Sequence, residues 1–170
     1  MKKILLCGYM ASGKTTIARL LAKASGLPYM DLDEVIEHKT GKTIPEIFKA
    51  EGEIQFRKLE HDTLKEIIEK DSFVLSLGGG TPCYAGNHLF MQRDDVVSVY
   101  LKAGIGELVN RLNGQPGKRP LLEKLQNTEL GEFVAQHLFE RSYYYHQAKH
   151  TIVTDGKSPD DIVNEVMSLF

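Results

Sequence analysis

The sequence predicts an α/β fold: a five-stranded parallel sheet with helices on both faces, in one domain over residues 1–170. Three observations predict it. Five short apolar runs, at 3–7, 29–33, 72–77, 96–101 and 151–154, alternate with segments of helical period. The stretch Gly8-Tyr9-Met10-Ala11-Ser12-Gly13-Lys14-Thr15 fits G-x-x-x-x-G-K-[ST], the P-loop pattern, at a strand-to-helix turn. A run of three glycines, Gly78-Gly79-Gly80, closes a central strand at the end where open α/β sheets receive their ligands.

The strand at 3–7 is apolar after Lys3, as a strand buried on both faces requires. Gly8 and Gly13 let the backbone come close to phosphate oxygens. The N–H groups of the turn, those of Ala11 and Ser12 included, face an anion-sized nest. The helix over 16–24, opened by Thr16, turns its positive end toward it. Lys14 supplies a mobile positive charge for the β- and γ-phosphates, and Thr15 a hydroxyl for Mg²⁺. The motif predicts nucleotide binding. The plain alternative is a glycine-rich turn with no ligand.

Ser25-Gly26 stops the first helix, and 29–33 reads as the second strand. Side chains alternate along a strand, so Asp31 and Asp33 share a face. Beside a P-loop, one carboxylate would serve a metal and the other a substrate hydroxyl. The alternative is a solvated strand end with Asp as a helix cap. A short helix over 34–40 ends at Gly41. Thr43, Pro45 and Glu46 then form a capping box for a helix reaching Gly52. The next helix, 53–70, carries Phe56, Leu59, Leu64 and Ile67 at helical spacing. Arg57 and Glu60, three apart, form a pair on its surface, and a further role for Arg57 stays open.

The run 72–77 reads as a central strand. Gly78, Gly79 and Gly80 after it are costly to order and make sense where backbone must approach a ligand. Ser76 stands about where many P-loop enzymes carry a metal-directed Asp, and its hydroxyl suits a metal-bound water. A helix is expected over 84–93, a strand over 96–101, and a helix over 106–112. The turn-rich segment that follows carries two adjacent cations, Lys118 and Arg119, and reads as a mobile lid over 113–124. Arg119 would close over the phosphates; the alternative is an exposed basic loop. Arg111, at the near hinge, could lie flat on an adenine ring. A long helix over 128–148 contains Arg141 and the aromatic run Tyr143-Tyr144-Tyr145, read as core packing. The strand at 151–154 precedes a final helix with Ser158 as N-cap and Pro159 at its first position.

The formal net charge of −2 and scattered basic residues give no reason to expect nucleic acid. Two cysteines, Cys7 and Cys83, are too few for a disulfide framework, and a reducing cytoplasmic setting fits them. The apolar run after Met1-Lys2-Lys3 is too short for an export signal, and no stretch approaches a membrane span. The six histidines are dispersed without metal-ligand spacing.

Taken together, the P-loop, D-L-D (31–33), F-R-x-x-E (Phe56, Arg57, Glu60), L-G-G-G (77–80), R-P-L-L (119–122) and R-x-x-x-Y (Arg141, Tyr145) resemble the shikimate kinase family, in order and over essentially the whole chain. The resemblance implies the nucleoside-monophosphate-kinase architecture with strand order 2-3-1-4-5, and a substrate-binding insertion over 33–60. It implies ATP and shikimate as substrates, Mg²⁺ held by Thr15 and Asp31, and a monomer. Asp33 would accept hydrogen bonds from the shikimate hydroxyls. Arg57 and Arg141 would hold the carboxylate, with the Gly79 amide beside them. Lys14 and Arg119 would neutralise the moving phosphoryl group. Two departures stand out: Ala11, where the family usually has glycine, and Thr81-Pro82-Cys83, where small apolar residues are commoner. The rival expectations are another small-metabolite kinase, such as a gluconate kinase, a nucleoside monophosphate kinase, and a non-catalytic nucleotide-binding regulator.

Overall fold

The computed structural model describes residues 1–114 and 127–170; the expected lid, with Lys118 and Arg119, falls almost wholly outside them. In chain order, the elements are β1 (Lys3–Cys7), α1 (Lys14–Ser25), β2 (Tyr29–Asp31), α2 (Leu32–Thr40), α3 (Ile44–Ile68) and β3 (Phe73–Ser76). Two 3₁₀ turns follow, at Thr81–Cys83 and Asn87–Gln92. Then come β4 (Val96–Lys102), α4 (Ile105–Asn113), α5 (Asn127–Tyr145), β5 (His150–Val153) and α6 (Pro159–Met167). The five strands form one parallel sheet in the order β2-β3-β1-β4-β5.

Alternation along β1 explains how one strand serves two cores. Leu5 and Cys7 face a cluster with Leu32, Ile36, Phe56, Leu64 and Val134, under α2, α3 and α5. Ile4 and Leu6 face the other cluster, where Ile17 and Leu21 of α1 meet Ile162 and Val166 of α6. Every β1 residue is buried, which is why this strand reads as one apolar run. Among the described residues, no helix is long and apolar enough to cross a membrane.

The helix starts follow local chemistry. Thr43 and Ser158 close capping boxes with Glu46 and Asp161, and a proline sits in each first turn. The expected break at Gly52 is present as a kink inside α3, with φ 80° and ψ 170°.

Two elements differ from expectation. The second strand does not run to residue 33. It stops at Asp31, whose carboxylate accepts hydrogen bonds from the backbone N–H groups of Asp33 and Glu34 and so starts α2. Asp31 and Asp33 are therefore a helix cap and a first-turn residue, not two side chains on one strand face. The cap satisfies two of the first-turn N–H groups that a helix start otherwise leaves without partners. Residues 84–93 form no α-helix either. Ala85 and Gly86 adopt left-handed backbone, φ 52° and 69°, which reverses the chain between the two 3₁₀ turns.

Candidate active site

The carboxyl ends of β1, β2 and β3 open onto a cleft of about 660 Å³. Its wall includes the loop from Ala11 to Thr16, together with Asp31, Asp33, Ser76, Gly78, Gly79 and Arg111. Two segments well apart in sequence, the P-loop (8–15) and the glycine run (78–80), thus face one space.

The phosphate side is built by the first turn. Gly8 has φ 153°, and a Cβ there would stand 2.7 Å from the Leu101 carbonyl and 2.9 Å from Ser12 Oγ, so only glycine fits. Gly13 caps α1 with φ 93° and no side-chain hydrogen bond, and the first turn holds no acidic residue. Its N–H groups are thereby offered to an anion. Lys14 Nζ is buried and donates to the carbonyls of Gly8 and Tyr9, 2.8 Å each. Thr15 Oγ1 lies 3.3 Å from Asp31 Oδ2, and Ser76 pairs in register with Asp31 across β2 and β3. Arg111 Nε bonds Glu107 at 2.9 Å and one terminal N–H reaches the Ala11 carbonyl at 3.1 Å, so this arginine braces the loop by its edge.

Ala11 explains why glycine suits its position: it holds φ 62°, left-handed backbone. For a residue with a Cβ this costs about 1–2 kcal/mol. Ala11→Gly removes that cost but adds about 0.4–1 kcal/mol of unfolded-chain entropy. The expected net is a stabilisation of up to about 1.6 kcal/mol, read as a higher urea midpoint at unchanged slope. A lower midpoint overturns the assignment of strain.

The other side of the cleft is organised by the three glycines, each of which has a different charged side chain close to where its own Cβ would be. A Cβ on Gly78 would stand 3.3 Å from Asp33 Oδ1 and 2.9 Å from Thr81 Oγ1. One on Gly79 would stand 3.3 Å from an Arg141 terminal nitrogen and 3.4 Å from the Met10 backbone nitrogen. One on Gly80 would stand 3.0 Å from an Arg57 terminal nitrogen. Removing three side chains brings one carboxylate and two guanidinium groups to the same stretch of main chain.

The two guanidinium groups have neighbours that brace them. Arg57 donates to Glu60 at 3.0 Å, and Glu60, 1% exposed, also accepts from Thr81 Oγ1 at 2.8 Å. The unusual Thr81 thus supplies the second partner of a buried carboxylate. Asn87 donates to the Thr81 carbonyl at 3.0 Å and accepts from His61 at 2.7 Å, fixing that turn. On α5, Tyr145 Oη donates to the Gly79 carbonyl at 2.6 Å, and Arg141 lies 5.9 Å from the Tyr9 ring. Burial pushes the Tyr145 hydroxyl well above its ordinary pKa, which keeps it a donor. Tyr9, within the P-loop, has its hydroxyl 3.0 Å from His137 Nδ1. The carboxyl of Asp33 is raised to about 6 by burial, with the negative charges of Asp31 and Glu60 adding to the rise and Lys14 opposing it.

The sequence reading missed Thr81, Tyr9 and the anchoring bond of Tyr145. A hydroxyl directly after a glycine run, or a tyrosine inside a P-loop, carries no local signal of its partner.

Strand order, P-loop and the glycine run define a P-loop protein of the nucleoside-monophosphate-kinase architecture, with a polar site for a small molecule beside its phosphate loop. A family model described as shikimate kinase matches residues 10–170. The shikimate kinase of Flavobacterium psychrophilum is 58% identical over 98% of this chain and 97% of its own. Among solved structures, the shikimate kinase of Bacteroides thetaiotaomicron superposes with a TM-score of 0.91 at 35% identity, over 99% of this chain and 97% of that one. A shikimate kinase of Acinetobacter baumannii in complex with shikimate gives 0.87 at 34% identity, over 99% and 92%. The chain belongs to the shikimate kinase family.

Proposed function

We propose that the protein transfers the terminal phosphoryl group of ATP to the 3-hydroxyl of shikimate, giving shikimate 3-phosphate on the route to chorismate and the aromatic amino acids. One observation carries the reading: a carboxylate and two guanidinium groups meet at Gly78–Gly80, beside the P-loop. Shikimate has a carboxylate at one end and hydroxyls at the other. Guanidinium groups complement the first, and Asp33 the second.

Phosphoryl transfer needs alignment and charge neutralisation more than covalent chemistry. The loop N–H groups and Lys14 bind the phosphates; Lys14 gives up its carbonyl partners to do so. Arg119, outside the described residues, is assigned to the same charge from the lid over 113–124. Arg111, tied along its edge, keeps its flat face for the adenine ring. Residues 33–60 form the substrate side through Asp33, Arg57 and Glu60. Asp33 orients the attacking hydroxyl, and a carboxyl raised to about 6 is also a competent proton acceptor near neutrality.

Thr15 and Asp31 would hold Mg²⁺, with Ser76 beside them for a coordinated water. One hydroxyl and one carboxylate, with no cluster of three metal-ligating side chains among the described residues, suit an ion that keeps several waters and binds substrate phosphates. When bound, the ion screens charge on the transferring group. The assignment is completed by a cytoplasmic monomer acting on small-molecule substrates.

The test is ADP release with ATP, Mg²⁺ and shikimate, with gluconate and AMP in parallel. Turnover with shikimate alone is expected. Turnover with gluconate or AMP overturns the assignment of the two arginines, and no turnover with any acceptor favours a nucleotide-binding regulator.

A further inference from the structure

Arg57 poses a problem of orientation. Among the described residues, its guanidinium donates one hydrogen bond, to Glu60 at 3.0 Å. Its Nε is buried with no hydrogen-bond partner among the described residues, and the Glu53 carboxylate stands 3.7 Å from it. A planar fork held by one hydrogen bond can still swing about it, and a bidentate grip on a carboxylate requires a fixed plane.

Tyr84 supplies the missing constraint. The Arg57 Cζ lies over the Tyr84 ring, 3.8 Å from its centroid, against 5.1 Å from the Phe56 ring. The Tyr84 backbone is extended, φ −124° and ψ 153°, directly before the left-handed pair Ala85-Gly86. The Thr81–Cys83 turn that delivers it is pinned through Thr81 to Glu60 and Asn87. The ring is thus carried on a rigid reverse turn, and it is 36% exposed, so its role is not to fill the core.

We propose that Tyr84 is a positioning residue for substrate recognition: its ring fixes the plane of the Arg57 guanidinium, so that the fork faces the substrate carboxylate along the edge of Gly80. Tyr84 acts through Arg57, and the inference rests on the assignment of Arg57 to the carboxylate. The attraction between a cation and a ring face is worth more as water is excluded, which substrate binding accomplishes.

The test compares Tyr84→Phe with Tyr84→Leu, and with Tyr84→Met should the leucine variant fold poorly. Leucine and methionine keep apolar bulk without a ring face. The expected result is a KM for shikimate raised about 5- to 30-fold in Tyr84→Leu, with kcat and the KM for ATP within about twofold of the parent. Tyr84→Phe stays within about twofold on all three. A phenylalanine variant that behaves like leucine overturns the proposal in favour of the hydroxyl. A leucine or methionine variant with an unchanged KM overturns it outright, as does one that loses kcat rather than affinity. A second readout needs no substrate: the Arg57 Nε–Hε resonance, displaced by the ring current, moves toward the free-arginine position in Tyr84→Leu and holds in Tyr84→Phe. If the parent protein does not turn over shikimate, the proposed function fails. The resonance still decides whether the ring holds the plane, and no movement in Tyr84→Leu overturns that.

Discussion

Asp33→Asn lowers kcat with shikimate by about 10²–10⁴-fold, the range for losing a positioned proton acceptor. Nucleotide affinity stays within a few-fold, because Asp33 touches the glycine run rather than the phosphate loop. The same substitution stabilises the fold. Burial and neighbouring charge raise the Asp33 carboxyl from 3.8 to about 6, so the folded state binds its proton more tightly than the unfolded chain does. The corresponding stability is fully present below pH 4 and is lost as pH rises through 6. Asparagine carries no such penalty. Denaturation midpoints of the two proteins should coincide near pH 4 and separate at pH 8, with the variant ahead by about 1–3 kcal/mol. In the parent, kcat/KM for shikimate falls as pH drops through about 6. A variant with near-normal turnover, or one less stable at pH 8, removes Asp33 from this role.

Arg141→Ala raises the KM for shikimate by about 10- to 150-fold, the cost of charge-assisted hydrogen bonds to a carboxylate. The KM for ATP changes by no more than about threefold. Equal effects on both substrates overturn the carboxylate assignment. Arg57→Ala shares the kinetic effect and adds a structural one, because Glu60 is 1% exposed and loses its cation. Leaving that charge buried and unpaired costs about 3–5 kcal/mol. Adding Glu60→Gln should recover most of the stability and none of the affinity for shikimate, which separates the two roles of one arginine. Steady-state kinetics alongside urea unfolding of the single and double variants decide it.

Features set by local chemistry were legible from the residues. The P-loop, the Thr43 and Ser158 capping boxes and the break at Gly52 all depend on a few neighbouring positions. So does the pairing of Arg57 with Glu60, one helical turn apart. Strand order came through the family resemblance, since a parallel sheet leaves no mark of it in a single chain. Asp31 shows where local reasoning divides. Tyr-Met-Asp-Leu-Asp alternates like a strand and also caps like a helix start, and the two N–H groups that Asp31 accepts decided for the helix. The contact between Thr81 and Glu60 spans 21 residues and depends on a turn whose left-handed Ala85 no composition rule foretells.

The ladder between β1 and β3 has one more consequence. Leu6 and Ser76 are register partners, and Gly8 and Gly78 each stand two residues further along their strands. The proposed donor and acceptor loops therefore leave the sheet side by side, one strand spacing apart, about 4.8 Å. The spacing between these two loops is thereby set by main-chain hydrogen bonding between neighbouring strands. Changes in the loops can alter which alcohol is presented, while the offset between the two loops is inherited from the ladder. A slip of one residue in that pairing would displace one loop by about 3.3 Å and turn every side chain of the slipped strand to the other face of the sheet.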